Sequence, residues 1–290
     1  MFSRIFKVKY GKHILSILIT GSTGFIGSHL VSSLRKKNYK ISEYVGDIRN
    51  ISKFVQKFDT VVHLASATGN IQMQRNRKDG FDINVIGTAE VLEYCNKMNA
   101  SLIFASTCGV YGETTADSLL REDMELNPLG DYAMSKFLAE ELCRRSQLTS
   151  QSKNCVVLRL FNVYGRGQRK GFLIPDILES VESGGKLKLR NPNAVRDFVY
   201  VNDCVNAIIL SLNLKGFHIL NISSAKAVSN IELVRVMESI LNRPILVEVS
   251  SSNEHIGYSI GDNGLAANIL NWHPTFDLYQ GLSEILKYEK

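Results

Sequence analysis

Apolar and polar positions alternate with two different periods along the first part of the chain. Short runs rich in β-branched residues predict strands at 14–20, 41–45, 60–65, 101–106 and 155–161. Between them, apolar residues three or four positions apart predict helices at 29–37, 51–58, 81–98 and 131–145. Strands that alternate with helices form parallel sheets covered on both faces. The pattern therefore predicts a doubly wound α/β fold over residues 14–165.

The regular alternation fades after residue 165, where glycine and proline become frequent. The later pattern predicts helices at 174–183, 230–241 and 278–288, a strand at 245–249, and a strand followed by a helix over 198–212. We expect a smaller C-terminal lobe that comprises residues 166–195 and 223–290, with residues 196–222 returning to the first domain. Residues 1–13 are interpreted as a basic N-terminal extension.

Composition narrows the class of protein. Of the 290 residues, 44% are hydrophobic and 21% are charged, which is ordinary for a globular protein. The net charge of +6 comes from scattered Lys and Arg without interleaved aromatic residues, so we expect no nucleic-acid partner. The five cysteines have neither CxxC nor metal-ligand spacing, which indicates a reduced, cytoplasmic protein without a metal. No apolar run is long enough to span a membrane.

Three glycines, Gly21, Gly24 and Gly27, lie between the first predicted strand and the first predicted helix. Gly21 permits a tight turn, Gly24 lets the backbone approach a pyrophosphate, and Gly27 lets the helix pack closely on the sheet. The free N–H groups of the helix N-terminus then face the phosphates. Glycine suits any tight turn, but this position at the head of alternating strands and helices is typical of a Rossmann-like dinucleotide site.

Tyr132 and Lys136 lie four residues apart on a predicted helix, so both side chains occupy one face, one turn apart. A phenol with a pKa near ~10 is a poor base at neutral pH. A neighbouring ammonium and a cationic nicotinamide would stabilise the phenolate, and a pKa of about 7 requires roughly 4 kcal/mol of such stabilisation. Tyr132 would then exchange an alcohol proton while hydride moves to or from a cofactor. Alone, such a pair is also common on surface helices.

The glycine spacing GxxGxxG, the Tyr132–Lys136 pair and the segment 104–112 (FASTCGVYG) together resemble the short-chain dehydrogenase/reductase superfamily. The resemblance is to its extended branch, the NAD-dependent epimerase/dehydratase family of sugar-nucleotide enzymes, and it covers residues 14–290. It implies that Thr107, four residues before Tyr111, is a third catalytic residue, whose hydroxyl binds the substrate oxygen and passes its proton toward Tyr132. Without the resemblance, Thr107 is a strand-end hydroxyl that satisfies a turn.

The resemblance also implies cofactor contacts. The pair at 47–48 corresponds to residues that contact adenine. The run 63–67 corresponds to a strand end that lines the cofactor, and the run 161–165 to a stretch beside the nicotinamide and the substrate. The residues implied for the cofactor are Gly21, Thr23, Gly24, Phe25, Ile26, Gly27, Asp47, Ile48, Leu64, Ala65, Ser66, Asn84, Ser106, Tyr132, Lys136, Phe161 and Val163. The residues implied for the substrate are Thr107, Tyr132, Asn162 and Arg196.

Arg196 begins an Arg-Asp-Phe motif whose arginine, in the family, binds the nucleotide diphosphate of the substrate. An ion pair of Arg196 with Asp197 or Asp203 is the alternative. The family often has a second phosphate-binding arginine in its tail. The corresponding stretch 253–257 has none, and His255 either replaces it or lies at the surface. The implied partner is a nucleotide-diphosphate sugar, and members of the family usually form homodimers through their two longest helices.

The two residues after Thr107 narrow the choice of reaction. The 4,6-dehydratases of the family carry Asp-Glu there, and the decarboxylases keep the Glu, whereas this chain has Cys108 and Gly109. We expect the Cys108 side chain to point away from the site, because neighbours along a strand alternate. Two reactions need only Thr107, Tyr132, Lys136 and a nicotinamide: 4-epimerisation, which we favour, and reduction of a 4-keto sugar. A non-catalytic dinucleotide sensor or scaffold is a third hypothesis, but it has no need of all three residues.

The sequence leaves NAD and NADP open as cofactors. The family usually ends its second strand with an acidic residue that binds the adenosine ribose, then adds a loop and a third strand. Here the strand 41–45 runs directly into Asp47, and the ribose-binding acid is missing. Arg35, Lys36 and Arg49 are either partners for a 2′-phosphate or ordinary surface charges. A loosely held cofactor would favour the reductase, because an epimerase retains its cofactor between half-reactions.

Overall fold

The computed structural model describes residues 15–68, 73, 76–112, 114, 118–149, 154–249 and 257–287. The predicted extension 1–13 and His255 lie outside these residues. In chain order the strands are β1 Ser16–Thr20, β2 Lys40–Tyr44, β3 Thr60–His63, β4 Ser101–Thr107, β5 Cys155–Leu160, β6 Asn162–Tyr164, β7 Leu187–Leu189, β8 Val195–Arg196, β9 Phe198–Tyr200, β10 Phe217–Ile222, β11 Val228–Ser229, β12 Val247–Val249 and β13 Tyr258–Ser259. The α-helices are α1 Phe25–Lys36, α2 Arg77–Phe81, α3 Gly87–Met98, α4 Gly130–Thr149, α5 Leu173–Ser183, α6 Val201–Ser211, α7 Asn230–Leu241, α8 Gly264–Leu270 and α9 Leu278–Leu286.

Six parallel strands form the central sheet, in the order β10, β5, β4, β3, β1, β2. β1 pairs with β2 on one side and with β3 on the other, so that Thr20 lies opposite both Tyr44 and His63. The strand order therefore reverses between β1 and β3. Ligands of such sheets bind in the crevice at the carboxyl ends of the strands on either side of the reversal. The predicted doubly wound fold is confirmed.

Helices cover both faces of the sheet, α1 and α6 on one face and α3 and α4 on the other. α1 is amphipathic, since Leu30, Val31 and Leu34 are buried while the opposite face is polar. Arg35 and Lys36 in its last turn interact favourably with the negative end of the helix dipole. The N-terminus of α1 consequently faces the crevice, directly after the glycine turn that follows β1.

The predicted helix 81–98 has a more complex structure. Helical backbone begins earlier, at α2, passes through a wider π-type turn at Asp82–Ile86, and continues as α3. Asn99 ends α3 in the left-handed conformation, with φ +53°. Such π turns are common at functional sites, and this one contains the buried side chain of Asn84.

The prediction of a helix at 51–58 is wrong. A 3-10 helix spans Ile48–Lys53 instead, and Asp47 caps it by accepting a hydrogen bond from the Arg49 nitrogen at 3.0 Å. Phe54 and Phe58, one helical turn apart in sequence, stack with ring centroids 6.3 Å apart without a helix between them. An apolar spacing of four thus arises here from an aromatic contact within a loop.

The sequence pattern does not predict β10, which adds the sixth strand to the sheet beside β5. Two polar residues, His218 and Asn221, interrupt its apolar run. Asn221 is nevertheless fully buried, because its side chain accepts from the Tyr111 hydroxyl at 2.8 Å and donates to the Leu120 carbonyl at 2.8 Å. A buried amide satisfied by distant segments cannot be recognised from local periodicity.

The later segments form small sheets and helices beside the carboxyl edge of the main sheet. β8 lies between β11 and β13, β7 pairs with β12, and β6 pairs with β9. The predicted helices 174–183, 230–241 and 278–288 correspond to α5, α7 and α9. The C-terminal segment contacts α6, because the buried Trp272 donates from its indole nitrogen to the Asp203 carbonyl at 3.0 Å.

Within the described ranges, no helix is both long and apolar enough to cross a bilayer. The same part of the chain contains no group of three or more His, Cys, Asp or Glu side chains arranged to hold a metal ion. All five cysteines are free thiols.

Candidate active site

The turn between β1 and α1 has a backbone that requires glycine. Gly21 has φ +68°, and a Cβ there would lie 2.6 Å from the Ala65 nitrogen. A Cβ on Gly27 would lie 2.1 Å from the Gly21 carbonyl oxygen, so α1 packs directly on the turn. Gly24 precedes α1 without a side-chain cap, and no acidic residue occupies the first turn. The first N–H groups of α1 thus face outward beside the exposed Thr23, a cradle that fits a pyrophosphate.

Hydrogen bonds between side chains connect β1 to β3 directly below the crevice. The Thr20 hydroxyl lies 2.8 Å from His63 Nδ1 and accepts from the Ala65 nitrogen at 3.2 Å. His63 Nε2 lies 3.2 Å from the Thr88 hydroxyl. Burial, with a smaller contribution from Lys136, lowers the pKa of His63 to about 3, so its imidazole stays neutral. The half-buried Leu64, Ala65 and Ser66 follow directly at the crevice edge.

Tyr132 lies half-buried in the first turn of α4, facing the end of β3. Its phenol lies near the Ser66 side chain. Burial raises the pKa of Tyr132 to about 12, and Cys108 adds to this rise, whereas Arg169 and Ser66 oppose it. The protein alone therefore keeps the phenol protonated at neutral pH.

Lys136, one turn further along α4, is 3% exposed. Its Nζ donates to the Ala105 carbonyl at 2.7 Å and lies 4.6 Å from the centroid of the Phe104 ring. Burial lowers the pKa of Lys136 to about 8. An ammonium has three donors, so Ala105 occupies one of them.

Thr107 is the last residue of β4, and its hydroxyl accepts from the Gly109 nitrogen at 3.1 Å. The expectation that Cys108 points away from the site is wrong. Its thiol interacts with the side chains of Ser259 and Thr107 and is close enough to Tyr132 to raise the pKa of that phenol. The reason is local, since the chain leaves the strand after Thr107 and enters a 3-10 turn, where the strand alternation no longer applies.

Asn84 connects the segment that follows β3 to the second turn of α4. Its Oδ1 accepts from the Ser66 hydroxyl at 2.9 Å and from the Ala67 nitrogen at 2.8 Å. Its Nδ2 donates to the Ala67 carbonyl at 3.0 Å and to the Ser135 hydroxyl at 2.9 Å. Since these bonds engage both its oxygen and its nitrogen and the residue is 2% exposed, Asn84 lies behind the site and fixes Ser66 rather than facing a ligand.

A buried ion pair supports α4, which carries Tyr132 and Lys136, from the interior. Arg159 on β5 and Glu140 on α4 are 1% and 2% exposed, and Arg159 Nη2 donates to Glu140 at 2.8 Å. Arg159 Nη1 also donates to the Tyr111 hydroxyl at 2.9 Å. The Ser106 hydroxyl donates to Glu140 as well. The Ser106 side chain therefore faces the core, and a contact of Ser106 with a cofactor would involve its backbone.

Arg196 and Asn162 lie at the boundary with the smaller lobe. Asn162 donates from its backbone nitrogen and from Nδ2 to the Asp197 carbonyl, at 3.0 and 2.9 Å. Arg196 Nη1 donates to the Val195 and Gly257 carbonyls, at 2.9 and 2.6 Å. The carboxylates of Asp197 and Asp203, its alternative partners, accept from other hydroxyl and backbone groups. The guanidinium is thus half-buried and anchored by backbone carbonyls.

Arg169 is a site residue that the sequence analysis does not identify. It lies in the loop between β6 and α5, where its Nη2 donates to the Thr68 carbonyl. Its guanidinium carbon is 5.7 Å from the centroid of the Phe172 ring. Arg169, rather than the expected Lys136, is the cation that lowers the pKa of Tyr132. Arg169 and Thr68 are 101 positions apart, so no local pattern could have indicated the contact.

The far end of the crevice, beside β2, is exposed. Asp47 accepts from Arg49 through Nε at 2.9 Å and Nη2 at 2.6 Å, and this contact lowers the pKa of Asp47 to about 2. Arg49 also donates to Asp79 at 2.8 Å. Ile48 is buried, while Val45, the residue after β2, is 81% exposed. The carboxylate of Asp47 is therefore engaged within the protein.

The sequence profile of the NAD dependent epimerase/dehydratase family matches residues 17–223. The chain belongs to this family. It is 30% identical to a putative UDP-glucose 4-epimerase of Methanocaldococcus jannaschii, over 94% of this chain and 98% of that protein. It is 32% identical to a GDP-6-deoxy-D-talose 4-dehydrogenase of Aggregatibacter actinomycetemcomitans, over 67% and 69% of the two chains.

The fold is also similar to that of a solved UDP-glucuronic acid 4-epimerase from Bacillus cereus, in complex with UDP-glucuronic acid and NAD. The TM-score is 0.86 at 25% identity, over 94% of this chain and 98% of the other. The predicted family resemblance is therefore confirmed. The family is one of NAD-dependent enzymes, so the predictions of an enzyme and of a nicotinamide dinucleotide as its cofactor are confirmed as well.

Proposed function

We propose that the protein is a sugar-nucleotide 4-epimerase, which oxidises the C4 hydroxyl of a nucleotide-diphosphate sugar and reduces it again from the other face. The observation that carries the proposal is the cluster of Tyr132, Lys136 and Thr107 at the carboxyl edge of the sheet, beside a turn that fits a pyrophosphate. The two epimerase relatives, similar over nearly their whole length, support this type of reaction. A bound nicotinamide supplies reversible hydride acceptance.

Tyr132 takes the C4 hydroxyl proton during oxidation and returns it during reduction. Because burial raises the pKa of its phenol to about 12, positive charge near the phenol must lower this pKa during the reaction. Arg169 contributes part of that charge. Lys136 donates to Ala105 with one of its three ammonium donors, which leaves two for the hydroxyls of a bound nucleoside.

Thr107 holds the C4 oxygen. Its hydroxyl accepts from the Gly109 nitrogen, so its own proton can be donated to the substrate. A Cβ on Gly109 would lie 3.3 Å from the Ala133 Cβ, which leaves little room for the glutamate of a dehydratase. Elimination of water and decarboxylation both need that additional acid or base. Thr107, Tyr132 and Lys136 therefore support oxidation and reduction at C4 without elimination or decarboxylation.

Arg196 is the residue that we assign to the diphosphate of the substrate. Its Nη1 is anchored to Val195 and Gly257, so the orientation of the guanidinium is defined before substrate binds. A planar guanidinium binds phosphate oxygens through two parallel hydrogen bonds. Asn162, anchored to Asp197, is assigned to the sugar.

A homodimer through α3 and α4 is part of the same proposal. The outer faces of these helices and of the preceding π turn expose Ile86, Met134 and Leu138, which are 50%, 38% and 38% exposed. Light scattering of the purified protein should give twice the chain mass, and Leu138→Glu should give the mass of one chain.

The experiment that tests the proposed reaction uses a panel of UDP-, dTDP- and GDP-linked sugars. Each is incubated with the protein and either NAD or NADP, and NMR follows the configuration at C4. We expect one of these sugars to be converted to its C4 epimer without net consumption of dinucleotide. Conversion of none of them, by a protein that binds dinucleotide, would contradict the proposal.

Reduction of a 4-keto sugar nucleotide is the second candidate, and the open end of β2 favours it. Val45 is 81% exposed where a strongly held cofactor would meet a carboxylate, and a reductase exchanges its cofactor in each turnover. The similarity to a GDP-6-deoxy-D-talose 4-dehydrogenase supports a reaction of this class. Stoichiometric oxidation of NADH or NADPH by a 4-keto sugar nucleotide, without epimerisation, would decide for the reductase.

A further inference from the structure

The Ser66 hydroxyl lies between two oxygen atoms at the carboxyl edge of the sheet. It donates to Asn84 Oδ1 at 2.9 Å, and it also lies near the Tyr132 phenol. A hydroxyl has a single proton to donate, so Ser66 serves one of these oxygens at a time. We propose that Ser66 turns this proton from Asn84 to the Tyr132 oxygen when the phenol ionises, and so stabilises the phenolate. The inference rests on the proposed role of Tyr132 as proton acceptor.

The orientation of the Asn84 amide determines how Ser66 is bound at rest. Asn84 Oδ1 accepts from the Ala67 nitrogen at 2.8 Å, and Nδ2 donates to the Ala67 carbonyl at 3.0 Å. Because a backbone N–H only donates and a carbonyl only accepts, these two bonds decide which amide atom is the oxygen. The amide therefore presents an acceptor to Ser66, and the proton of the hydroxyl points to Asn84 while Tyr132 is protonated.

Asn84 can release this proton at little cost. When Ser66 turns away, Oδ1 still accepts from the Ala67 nitrogen, and Nδ2 still donates to the Ala67 carbonyl and to the Ser135 hydroxyl. The movement thus leaves neither the oxygen nor the nitrogen of this buried amide without a partner, which is the usual penalty for breaking a buried hydrogen bond.

The same amide also anchors Tyr132. The Ser135 hydroxyl accepts from Asn84 Nδ2 at 2.9 Å and donates to the Tyr132 carbonyl at 2.8 Å. Asn84 is 2% exposed and lies in the π turn that precedes α3. Ser66 and Tyr132 are both connected to this one buried side chain, so the hydroxyl is positioned beside the phenol before the reaction begins.

The other titratable groups around the phenol come from three elements. Cys108, in the turn after β4, raises the pKa of Tyr132, and Arg169, in the loop after β6, lowers it. Lys136 lies one turn further along α4. Arg169 is exposed, so solvent screens its charge, whereas Ser66 is half-buried and acts by direct contact. Ser66 therefore supplies a stabilisation that does not depend on ionic strength.

The energetic order of the two bonds makes the movement reversible. A hydrogen bond to an ionised acceptor is roughly twice as strong as one between neutral groups. The Ser66 proton is therefore drawn to Tyr132 when the phenolate forms and returns to Asn84 when the phenol is restored. Ser66 keeps its own proton throughout, and the substrate proton passes to Tyr132 alone.

The ionisation of Tyr132 tests the proposal without any sugar substrate. The full chain is labelled with 3-fluorotyrosine, whose electron-withdrawing fluorine lowers the pH at which the phenol ionises, and is saturated with NAD. ¹⁹F NMR follows the titration, and the signal absent from Tyr132→Phe is that of Tyr132. Ser66→Ala should raise the midpoint of this titration by about one pH unit, because it removes a hydrogen bond to an ionised group.

Two further variants separate the hydroxyl from general packing. Ser66→Thr keeps the hydroxyl and should restore the midpoint to within about 0.3 pH unit of the wild type. Ser283→Ala removes a hydroxyl that donates to the Tyr279 carbonyl on α9, and should leave the midpoint unchanged. In active protein, the acid limb of the kcat/KM profile should move upward with the midpoint in Ser66→Ala.

An unchanged midpoint in Ser66→Ala would overturn the proposal. An equal rise in Ser66→Thr would also overturn it, since the effect would then come from packing around residue 66 rather than from the hydroxyl. A midpoint raised only in Ser66→Ala, in a protein that converts no sugar nucleotide, would refute the proposed function and leave this inference standing.

Discussion

The two ends of one crevice are built in different ways. At the catalytic end, Lys136, Asn84 and Glu140 are 3%, 2% and 2% exposed, and each is hydrogen-bonded to another element of the fold. At the far end, beside β2, the charged groups form exposed ion pairs, such as that of Arg49 with Asp47. A buried polar group is costly without its partners, whereas an exposed pair can be exchanged at little cost. The polar groups at the catalytic end are therefore fixed in place, whereas the ion pairs at the far end can exchange partners at little cost.

The largest effect should follow from the loss of the Tyr132 hydroxyl. In Tyr132→Phe, turnover should fall by about 10²–10⁴-fold, because the proton acceptor of the reaction is removed. Dinucleotide binding at the other end of the crevice should remain unchanged. Steady-state kinetics and calorimetry measure the two quantities.

A matched control for this variant is Tyr279→Phe, which removes a phenol that is 54% exposed on α9. It should retain full turnover. Full activity of Tyr132→Phe, or loss of dinucleotide binding together with activity, would contradict the assigned role.

The buried ion pair should be the main source of rigidity at the catalytic end. Glu140→Gln leaves the guanidinium of Arg159 without its charge partner in the core, so the free energy of unfolding should fall by about 3–5 kcal/mol. Urea denaturation of wild type and variant measures the difference.

The same helix offers the control, Glu141→Gln, which breaks an exposed pair with Arg144. Its effect should be within about 1 kcal/mol. If the two variants lose equal stability, the buried pair does not hold the catalytic end.

Lys136 should contribute to activity at the expense of stability. Burial lowers its pKa from 10.5 to about 8, so the unfolded chain binds this proton more tightly than the folded chain. The resulting loss of stability is complete below pH 8, where it amounts to at most about 3 kcal/mol, and it diminishes as the pH rises toward 10.5.

Lys136→Met should therefore lose activity while its free energy of unfolding at neutral pH equals or exceeds that of the wild type. The wild type alone should gain stability from this group between pH 8 and 10.5. Thermal unfolding over this pH range measures both effects. A variant that is less stable at neutral pH, with an unchanged pH dependence, would contradict this account of Lys136.

The smallest effect concerns Arg169. Its charge lowers the pKa of Tyr132, so Arg169→Gln should move the acid limb of the kcat/KM profile to higher pH. The shift should be less than about one pH unit, because the guanidinium is exposed and screened by solvent. Arg121→Gln, which removes another exposed arginine, should leave the limb in place. A limb that does not move in Arg169→Gln would exclude an effect of Arg169 on the phenol.

The features that the sequence predicts are those determined within a few residues. The turn at Gly21, Gly24 and Gly27 and the spacing of Tyr132 and Lys136 follow from the geometry of one strand-helix turn and one helix. The period of the apolar residues similarly indicates a parallel sheet between helices.

The features that the sequence does not predict arise from contacts between distant segments. Arg169 reaches Thr68, and Arg159 reaches Glu140 across the core, without any local pattern that marks these pairs. Strand alternation does not apply to Cys108, because β4 ends at Thr107 and Cys108 begins a 3-10 turn. At 51–58, Phe54 and Phe58 have the four-residue spacing of a helix, but they contact each other within a loop.

We propose that hydride moves to and from C4 of a sugar nucleotide in this crevice, with Tyr132 as the proton acceptor. The most direct test gives the wild type and Tyr132→Phe the same panel of nucleotide sugars, each deuterated at C4, together with dinucleotide. NMR then follows the label. With the wild type we expect a C4 epimer that retains deuterium at C4. With Tyr132→Phe we expect almost no epimer. Loss of the label to water, or equal conversion by both proteins, would contradict it.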